Sequence, residues 1–339
     1  MRVSVVLTVY NKAQYLRECI ESIFAQTFTD IEIIAVDDKS TDDSLSILRS
    51  IQDPRLKVVA LERNLGHPGA TQEAYDRCQG EYIVRCDADD ISHPDRIARQ
   101  VAFMDANPDV GASSCSLALF GSETEEWNYS ADGDECKAQL LFGLPVADPA
   151  CILRRSVLIE HDIRFRLEWP RVGSDWLFFA KFFRVSRMSN LSEVLLYYRR
   201  GDNNSSTQEQ LVGRRKPIVG PLFGLLQLPG GAREQELHMI LLRAFEKPLT
   251  PAEIAAAYGW LQRLEQWNRE GGYVPDKVFT ERTRAQWERL FYSLPRRGAR
   301  LALAHMRQDG GWTRTKLLYL LKYSLRKGLG RLPKPVNQQ

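Results

Sequence analysis

The sequence contains no long hydrophobic run. None of its uninterrupted apolar segments approaches the roughly 18 residues that a membrane-spanning helix requires. The start of the chain also differs from a secretory signal, because Met1 and Arg2 lead directly into a strand pattern without a cleavage-type segment. These two absences predict a cytoplasmic protein without a transmembrane anchor.

Cysteines are few, and their spacing is not that of metal ligands or of a disulfide framework. No Cys-x-x-Cys pair occurs among the six cysteines, which are Cys19, Cys78, Cys86, Cys115, Cys136 and Cys151. This argues against a zinc site and fits a reducing compartment. With 44% hydrophobic residues and a mean hydropathy of −0.34, the chain is predicted to be soluble and globular. Its 339 residues allow one large domain with an extension, or two domains.

Acidic residues are nearly absent from the end of the chain. After Phe291, eleven Lys and Arg residues are accompanied by a single acid, Asp309, although the net charge of the whole chain is only +3. A basic tail on an acidic body predicts an anionic partner, either a membrane surface or a nucleic acid. Nucleic acid is the less favoured of the two, because the tail has no recognised nucleic-acid-binding fold.

The tail also contains an amphipathic helical pattern. On a helical wheel of residues 314–327, one face is apolar and contains Leu317, Leu318, Leu321 and Leu325. The other face is basic and contains Lys316, Lys322, Arg326 and Lys327. Such a helix can lie in a membrane interface, and we expect peripheral association through residues 296–334 at the cytoplasmic face of the inner membrane. The alternative is that these leucines pack on the rest of the protein.

The first part of the chain alternates between strand and helix patterns. Buried-strand patterns cover residues 3–9, 31–36, 57–61 and 82–86, and helical patterns cover 12–26, 40–51 and 70–78. Ser40, Thr41 and Asp42 provide N-cap chemistry for the second helix. This order predicts a doubly wound, mostly parallel α/β sheet with its ligand site at the carboxyl ends of the strands.

The later sequence predicts further elements of this domain and then a helical region. A helix is expected over residues 94–107, one strand over 110–119, and an aromatic-rich helix after Gly173, Ser174 and Asp175. A polar segment at 201–208 marks the predicted domain boundary. Beyond it we expect mainly helices, with breaks at 229–231, 271–272 and 310–311.

The most informative segment is an apolar strand pattern that ends in three acids, Asp87, Asp89 and Asp90. Carboxylates crowded at a strand end repel one another unless a positive group lies among them. A divalent cation satisfies this requirement when a nucleotide diphosphate supplies its further oxygen ligands. A solvated acidic turn is the alternative. Polar residues also end the three preceding strands, at 8–11, 37–38 and 63–64, and this convergence favours a binding crevice.

Taken in order, these segments resemble the motifs of the inverting glycosyltransferases of family 2, which have the GT-A fold. The matching segments are residues 3–11, 36–42, 64–66, 80–83 and 87–90, followed by Pro94, Asp95 and Arg96. The resemblance covers about residues 1–200 and is closest to enzymes of bacterial surface-polysaccharide or lipopolysaccharide biosynthesis. It implies a GT-A domain over 1–205, with a nucleotide-sugar-binding half at 1–107 and an acceptor half at 108–205, and a C-terminal helical extension over 206–339.

The resemblance also implies which residues bind the donor and a metal. The family's nucleotide-sugar-binding positions correspond here to Thr8, Val9, Tyr10, Asn11, Asp38, Asn64, Gly66, Asp87, Ala88 and Arg199. The ring of Tyr10 would stack on the base, and the carboxylate of Asp38 would accept a hydrogen bond from it. A divalent metal, Mn²⁺ or Mg²⁺, would be held by Asp89 with Asp87 and would neutralise the diphosphate leaving group.

Asp175 matches the family's general base, which precedes an aromatic-rich helix. The preceding residue is Ser174, where the family usually has Glu. An ordinary helix start is the alternative interpretation, because an acid in the first turn is favoured by the helix dipole. General-base catalysis requires one carboxylate beside the acceptor hydroxyl. The resemblance therefore predicts that Asp175 is catalytic.

Two departures from the family concern phosphate contacts. The His that often follows the family's counterpart of Arg199 is absent, and Thr71 and Gln72 stand where many relatives have Arg-Asn. We do not expect His67 or His93 to replace them, and both are predicted to be surface or loop histidines.

These observations predict an enzyme that transfers a hexosyl group from a nucleotide diphosphate donor, with a UDP-sugar favoured, to a hydroxyl of a glycan or lipid-linked glycan. A Rossmann dehydrogenase is excluded, because the first βα turn has no Gly-x-Gly-x-x-Gly. A sugar nucleotidyltransferase would have a Gly-rich, basic loop there, which is also absent. A non-catalytic nucleotide-sugar-binding module at a membrane surface stays open as the alternative.

Overall fold

The computed structural model describes residues 1–201, 211–245 and 247–328. The chain divides into two compact units, Met1–Thr207 and Gln208–Gln339, which are described separately below. The boundary predicted between residues 205 and 206 lies two residues before this division.

Within residues 1–201, the described part of the first unit, eleven strands form two sheets. In chain order, the strands are β1 (Val3–Val9), β2 (Ile31–Asp37), β3 (Leu56–Ala60), β4 (Tyr82–Asp87), β5 (Ile91–Ser92), β6 (Val110–Ser113), β7 (Cys115–Gly121), β8 (Glu126–Trp127), β9 (Ile152–Arg154), β10 (Arg187–Met188) and β11 (Leu191–Arg200). The large sheet has the order β10-β6-β9-β4-β1-β2-β3, and the small sheet has the order β5-β11-β7-β8.

The described residues contain thirteen α-helices and two short 3-10 helices. In chain order, the α-helices are α1 (Ala13–Phe24), α2 (Ser44–Ser50), α3 (Gly66–Tyr75), α4 (Arg96–Ala106), α5 (Gly133–Gln139), α6 (Arg155–Glu160), α7 (Ser174–Ala180), α8 (Leu211–Leu226), α9 (Ala232–Leu241), α10 (Pro251–Gly271), α11 (Asp276–Ser293), α12 (Ala299–Gln308) and α13 (Arg314–Gly328). The 3-10 helices are Asp148–Ala150 and Lys181–Arg184.

The large sheet is mostly parallel, as the sequence predicts. Strand β1 lies between β2 and β4 and is parallel to both, and β3 extends the parallel set beyond β2. Only β9 runs antiparallel, to β4 and β6. Successive side chains of β1 point to opposite faces, yet Val5, Val6 and Leu7 are all fully buried, so both faces of the sheet are covered. The predicted doubly wound α/β fold is confirmed.

The strand predicted over residues 110–119 is in fact two strands in two sheets. Strand β6 belongs to the large sheet and β7 to the small one, with Ser114 between them. The Ser114 backbone N–H and hydroxyl both donate to Asn190 Oδ1, at 2.9 and 2.7 Å, and the Ser114 hydroxyl also accepts from the Ala147 N–H at 3.0 Å. These contacts satisfy the polar groups of Ser114 outside the ladder, so the chain can change sheets there.

The small sheet brings a second set of residues to the acidic end of β4. Strand β11 pairs in parallel with β7 and antiparallel with β5, which follows the acidic segment directly. Strand β11 also contains Arg199. The sheet therefore positions Arg199 beside Asp89 and Asp90.

The second unit is helical in its described residues, from α8 to α13. The helices are interrupted at the three predicted breaks, after Leu226, Gly271 and Gln308. Helix α10 begins with a capping box in which the Glu253 N–H donates to Thr250 Oγ1 at 3.2 Å and Glu253 Oε2 accepts from the Thr250 N–H at 2.7 Å. The stacked rings of Phe223 and Trp260 lie in the core of this unit, with centroids 5.6 Å apart. Among the described residues, no helix is both long enough and apolar enough to cross a membrane.

The structure of helix α13 agrees with one part of the prediction for the basic tail and contradicts another part. Lys316, predicted on the basic outer face, is buried with 2% exposure, and its ammonium bonds Glu288 at 2.7 Å. Tyr323 is buried on the same side of the helix. The leucine face is exposed, with Leu321 at 56% and Leu325 at 60%. The side chains of 326–327 and all of residues 329–334 lie outside the described residues.

Candidate active site

The site residues predicted from the first two strands meet at the carboxyl edge of the large sheet. The register places Thr8 opposite Asp87 on β4 and Val9 opposite Asp37 on β2. The Val9 side chain is buried, and its carbonyl accepts from the Asp38 N–H at 2.8 Å, so only its backbone faces the edge. The ring of Tyr10, just beyond β1, is 48% exposed and is free to receive a planar ligand.

Asn11 joins the loop after β1 to the loop after β2. Its backbone has φ 52°, and its Oδ1 accepts from the Thr41 N–H at 2.8 Å, while its own N–H donates to Ser40 Oγ at 3.1 Å. The prediction that Ser40 and Thr41 cap α2 is therefore wrong, because these contacts tie the two loops together instead. Asp42 does accept from the Ser44 N–H, at the first residue of α2. Asn11 thus shapes the edge of the site through its backbone and side-chain amide.

Asp38 is buried at the end of β2, and its side chain shapes the next loop. Its Oδ1 accepts from the Leu65 N–H at 2.6 Å, and its backbone carbonyl accepts from Asn64 Nδ2 at 2.9 Å. Burial raises the pKa of Asp38. Gly66 follows with φ +72°, and an added Cβ there would lie 3.1 Å from the guanidinium of Arg171. Glycine allows both the backbone angle and this close approach.

Two cationic side chains lie beside the acidic residues at the end of β4. Arg85 Nη2 donates to Asp87 Oδ1 at 2.9 Å, and the ammonium of Lys12 pairs with Asp89 Oδ2. The carboxylate of Asp90 points inward, where its Oδ1 accepts from the Arg199 N–H at 2.9 Å, and burial raises its pKa. The hydrogen bond of Asp90 therefore links β11 to the segment that follows β4. Asp87 and Asp89, in contrast, remain partly accessible at the strand end.

The side chains at this edge suit a metal that shares its ligands with a donor. Within residues 1–201, 211–245 and 247–328, no three His, Cys, Asp or Glu side chains cluster as a ready-made metal site. Asp87 and Asp89 offer at most two carboxylates, and Ala88 between them is buried. A hard cation bound here would take its remaining oxygens from water and from a diphosphate. This donor set fits the predicted shared site.

Arg85 is the central charge of the site, and sequence reasoning missed its role. Its side chain is fully buried; Nη1 donates to Thr71 Oγ1 at 2.9 Å, and Nη2 contacts His67 Nε2 at 2.9 Å and Asp148 Oδ2 at 3.1 Å. A guanidinium thus lies against Thr71, where the family's Arg-Asn pair is missing. The signal was present in the sequence, because an arginine inside an apolar strand run must find buried partners.

His67, predicted to be a surface or loop histidine, has a side chain that is 37% exposed and also makes a specific contact with Arg85. His67 lies in the first turn of α3 and accepts from Arg85 through Nε2. Burial and the positive charge of Arg85 lower the pKa of His67, so its ring is neutral. His93, in contrast, is a loop histidine whose Nδ1 accepts from the Asp95 N–H at 3.2 Å.

Asp175 lies in the first turn of α7, after Gly173 with φ 85°. Its Oδ1 accepts from the Trp176 N–H at 2.9 Å. Burial, followed by the negative charge of Asp148, raises the pKa of Asp175 to about 7. A helix start alone would lower the pKa of an acid, so a stronger local effect operates here. A carboxylate with a pKa near neutrality is matched to proton abstraction at physiological pH.

Arg199 is held by aromatic and polar contacts on β11. Its guanidinium lies 4.5 Å from the ring centroid of Tyr15 and 4.3 Å from that of Phe120. Its Nε donates a hydrogen bond to the Asp89 carbonyl at 2.9 Å, and its Nη2 donates one to Glu18 at 2.5 Å. Arg199 therefore contacts the acidic segment at two points, the backbone carbonyl of Asp89 and the carboxylate of Asp90.

Comparison with known proteins identifies the family. The family model described as "Glycosyl transferase family 2" matches residues 4–162. An uncharacterized glycosyltransferase of Haemophilus influenzae is 32% identical over 219 residues, which is 60% of this chain and 67% of the relative. An uncharacterized glycosyltransferase of a Nostoc species is 30% identical over 227 residues, or 62% and 70%. The chain belongs to the family 2 glycosyltransferases, and it is a glycosyltransferase enzyme.

Other similar proteins have more specific names. The poly(ribitol-phosphate) beta-N-acetylglucosaminyltransferase TarS of Staphylococcus aureus is 29% identical over 217 residues, which is 61% of this chain and 37% of TarS. The crystal structure of TarS 1-349 with UDP-GlcNAc has a TM-score of 0.58 at 20% identity and 93% coverage of both chains. A mannosyltransferase of Pyrobaculum calidifontis with GDP-Man and Mn²⁺ has a TM-score of 0.51 at 17% identity, covering 97% and 88%. At such identities these structures show the shared GT-A fold.

Proposed function

We propose that this enzyme transfers a hexosyl group from a UDP-sugar to a hydroxyl of a surface glycan or lipid-linked glycan, with inversion at the anomeric carbon. The observation that carries the proposal is a chain of charges within one unit. Arg85 pairs with Asp87 at the strand end and with Asp148, and burial together with the negative charge of Asp148 raises the pKa of Asp175. A leaving-group site and a carboxylate of high proton affinity are the two components that a direct displacement needs.

The donor is proposed to bind along the carboxyl edge of the large sheet. Tyr10 would stack on the uracil, with Thr8 and Asp38 beside it, and Asp87 would bind the ribose. A divalent cation, Mn²⁺ or Mg²⁺, would be held by Asp89 with Asp87 and would supply charge neutralisation of the diphosphate. Support for a UDP-sugar comes from the TarS structure with UDP-GlcNAc, while the mannosyltransferase structure contains GDP-Man and Mn²⁺.

The proposed chemical step uses Asp175 as the general base. Its carboxylate takes the proton of the acceptor hydroxyl as the hydroxyl oxygen forms a bond to the anomeric carbon. The bond from that carbon to the diphosphate oxygen breaks on the opposite face, and the electron pair leaves with UDP. One displacement of this kind inverts the anomeric configuration. Polymeric acceptors are supported by relatives such as TarS and a poly(ribitol-phosphate) beta-glucosyltransferase of Bacillus spizizenii.

A donor screen tests the proposed function. UDP-sugars and GDP-sugars are incubated with the enzyme and Mn²⁺, and release of nucleoside diphosphate is measured with and without glycan acceptors. We expect UDP release, even slowly without acceptor, and proton NMR of a transferred product should show the opposite anomeric configuration to the donor. A retained configuration would exclude the single displacement. Sugar-nucleotide binding without any release of diphosphate would favour the non-catalytic module instead.

We also propose that the enzyme works in the cytoplasm at a membrane surface, through the exposed leucine face of α13. Leu317 and Leu318 are exposed on this helix together with Leu321 and Leu325, and the basic Lys322, also exposed, flanks this face. An apolar face flanked by positive charge gains free energy both from acyl chains and from anionic lipid headgroups. An enzyme for a lipid-linked acceptor would benefit from this location.

Vesicle binding tests this location with the full-length protein. We expect the double variant Leu321→Glu with Leu325→Glu to bind anionic vesicles roughly tenfold more weakly in co-sedimentation, because two apolar contacts are lost and two negative charges are added. The matched control is Ile159→Glu with Leu167→Glu, two side chains that are equally exposed in the first unit, at 63% and 65%. Equal binding of both double variants and the wild type would contradict the membrane proposal.

A further inference from the structure

One face of α3 carries three residues that are spaced three apart, Gly66, Gly69 and Gln72. The segment that precedes α7 packs on this face. The Phe165 N–H donates to Gln72 Oε1 at 2.9 Å, and a Cβ added to Gly69 would lie 3.0 Å from Leu167 Cδ2. The glycines therefore leave room for residues 165–171 to run along α3 toward its N-terminus.

Arg171 lies at the end of this segment, and its side chain crosses the start of α3. A Cβ added to Gly66 would lie 3.1 Å from Nε and 3.2 Å from Cδ of Arg171. Nη1 of Arg171 donates to Asn64 Oδ1 at 3.4 Å, which is long for a hydrogen bond. Within the described parts of the chain this is the only hydrogen bond of the Arg171 side chain, which is exposed. Most of the five N–H donors of the guanidinium can therefore serve a ligand.

The guanidinium contacts two residues that are proposed to bind the nucleotide, Asn64 and Gly66. Both belong to the loop that Asp38 organises, since Asp38 Oδ1 accepts from the Leu65 N–H at 2.6 Å and its carbonyl accepts from Asn64 Nδ2 at 2.9 Å. This end of the donor site is proposed to hold the base, whereas the diphosphate is proposed to lie at Asp89. The position of the guanidinium therefore assigns it to the base.

Helix α3 itself contains no Lys or Arg. At the two positions where many relatives have Arg-Asn, the side chains bind other parts of the protein. Thr71 Oγ1 accepts from Arg85 at 2.9 Å, and Gln72 Nε2 donates to Asp76 Oδ1 at 2.8 Å. The segment before α7 thus brings to this edge a cation that α3 does not supply.

We propose that Arg171 is a donor-binding residue that recognises the nucleobase: its guanidinium donates a hydrogen bond to a carbonyl oxygen of the pyrimidine, beside the N–H that Asp38 is expected to bind. The proposal rests on the proposed function in one respect, the binding of a uridine nucleotide at this edge. A phosphate group would be poorly placed next to the acidic Asp38, whereas a neutral carbonyl oxygen is a suitable acceptor there.

Calorimetric binding of UDP and UMP to the full-length enzyme tests this proposal. Arg171→Ala should raise the dissociation constant about tenfold for both nucleotides, because the lost hydrogen bond is to the base that they share. The melting temperature without ligand should stay close to that of the wild type, since the Arg171 side chain is exposed. Arg171→Gln removes the same charge and serves if the alanine variant does not fold.

The 2-thio and 4-thio analogues of UDP, in which sulfur replaces one carbonyl oxygen of uracil, give a second measurement. The wild type should bind at least one analogue more weakly than UDP, because sulfur is a weaker hydrogen-bond acceptor. Arg171→Ala should bind that analogue and UDP equally well. A residue that only supports the fold would not change this discrimination.

The control is Arg166→Ala, which removes another arginine of the same segment, 3.8 Å from Glu168. This variant should bind UDP and UMP as the wild type does. Unchanged binding of UMP by Arg171→Ala would overturn the proposal, and weaker binding of UDP alone would show a contact with the diphosphate instead. Discrimination against the thio analogue that persists in Arg171→Ala would also overturn it. These outcomes leave the proposed function standing, whereas a wild type that binds no UDP would overturn both.

Discussion

Replacement of Asp175 by asparagine is expected to lower the turnover number by ~10²–10⁴, the usual cost of losing a general base. Affinity for UDP should stay nearly unchanged, because Asp175 is proposed to act on the acceptor hydroxyl and is not among the residues proposed to bind the nucleotide. In the wild type, the rate should rise with pH through about 7 as Asp175 loses its proton and becomes able to accept another. Transfer rates and calorimetric UDP binding measure these effects.

A matched control separates catalysis from helix stability. Asp134 is also an acid in the first turn of a helix, α5, and Asp134→Asn removes the same dipole interaction outside the site. That loss is worth ~0.3–1 kcal/mol of stability and should leave turnover intact. If the two asparagine variants lose turnover equally, Asp175 is an ordinary helix-start acid and the proposed mechanism is wrong.

Asp89→Asn is expected to abolish measurable transfer and the stimulation by Mn²⁺, while the melting temperature without ligand stays close to that of the wild type. The physical reason is the loss of charge stabilisation on the diphosphate, worth about several kcal/mol in metal-assisted reactions. The variant also releases Lys12 from its ion pair. Calorimetric titration of UDP with and without Mn²⁺, together with transfer rates, measures the effect.

Asp53→Asn is the appropriate control for Asp89→Asn, because Asp53 is likewise a partly exposed carboxylate in an ion pair, with Arg55 at 2.9 Å. It should behave as the wild type in every assay. If Mn²⁺ still stimulates Asp89→Asn, Asp89 is not a metal ligand. If the wild type stays active in the presence of a chelator, the reaction does not require a metal.

The sequence was most predictive where structure depends on local pattern. Apolar runs identify β1, β2 and β4, which lie side by side within the large sheet, because a strand covered on both faces must be largely apolar. The division of residues 110–119 between two sheets was not predictable in this way. It depends on Asn190, which is distant in sequence and accepts both hydrogen bonds of Ser114. Periodicity carries no information about such a partner.

The same limit applies to the site. Residues at strand ends, such as Asp38 and Asp87, could be proposed from topology, since parallel strands deliver their ends to one edge. Asp148 could not be proposed in this way, because it is recognised as a site residue only by its ion pair with the buried Arg85, which is distant in sequence. The sequence does show Arg85 as a charged residue within an apolar strand pattern. Because a buried charge must be neutralised, this pattern predicts that a buried acid lies next to it.

The pairing of Lys12 with Asp89 has a consequence for the order in which ligands bind. Arg85 pairs with Asp87 and Lys12 pairs with Asp89, so both carboxylates proposed to hold the metal already have cationic partners from the protein itself. A metal ion that arrives by itself must displace an ammonium and then lacks ligands for most of its shell. A diphosphate that arrives with the ion supplies those ligands and gives the displaced ammonium a new anion. Donor and cation should therefore bind together, each raising the affinity for the other.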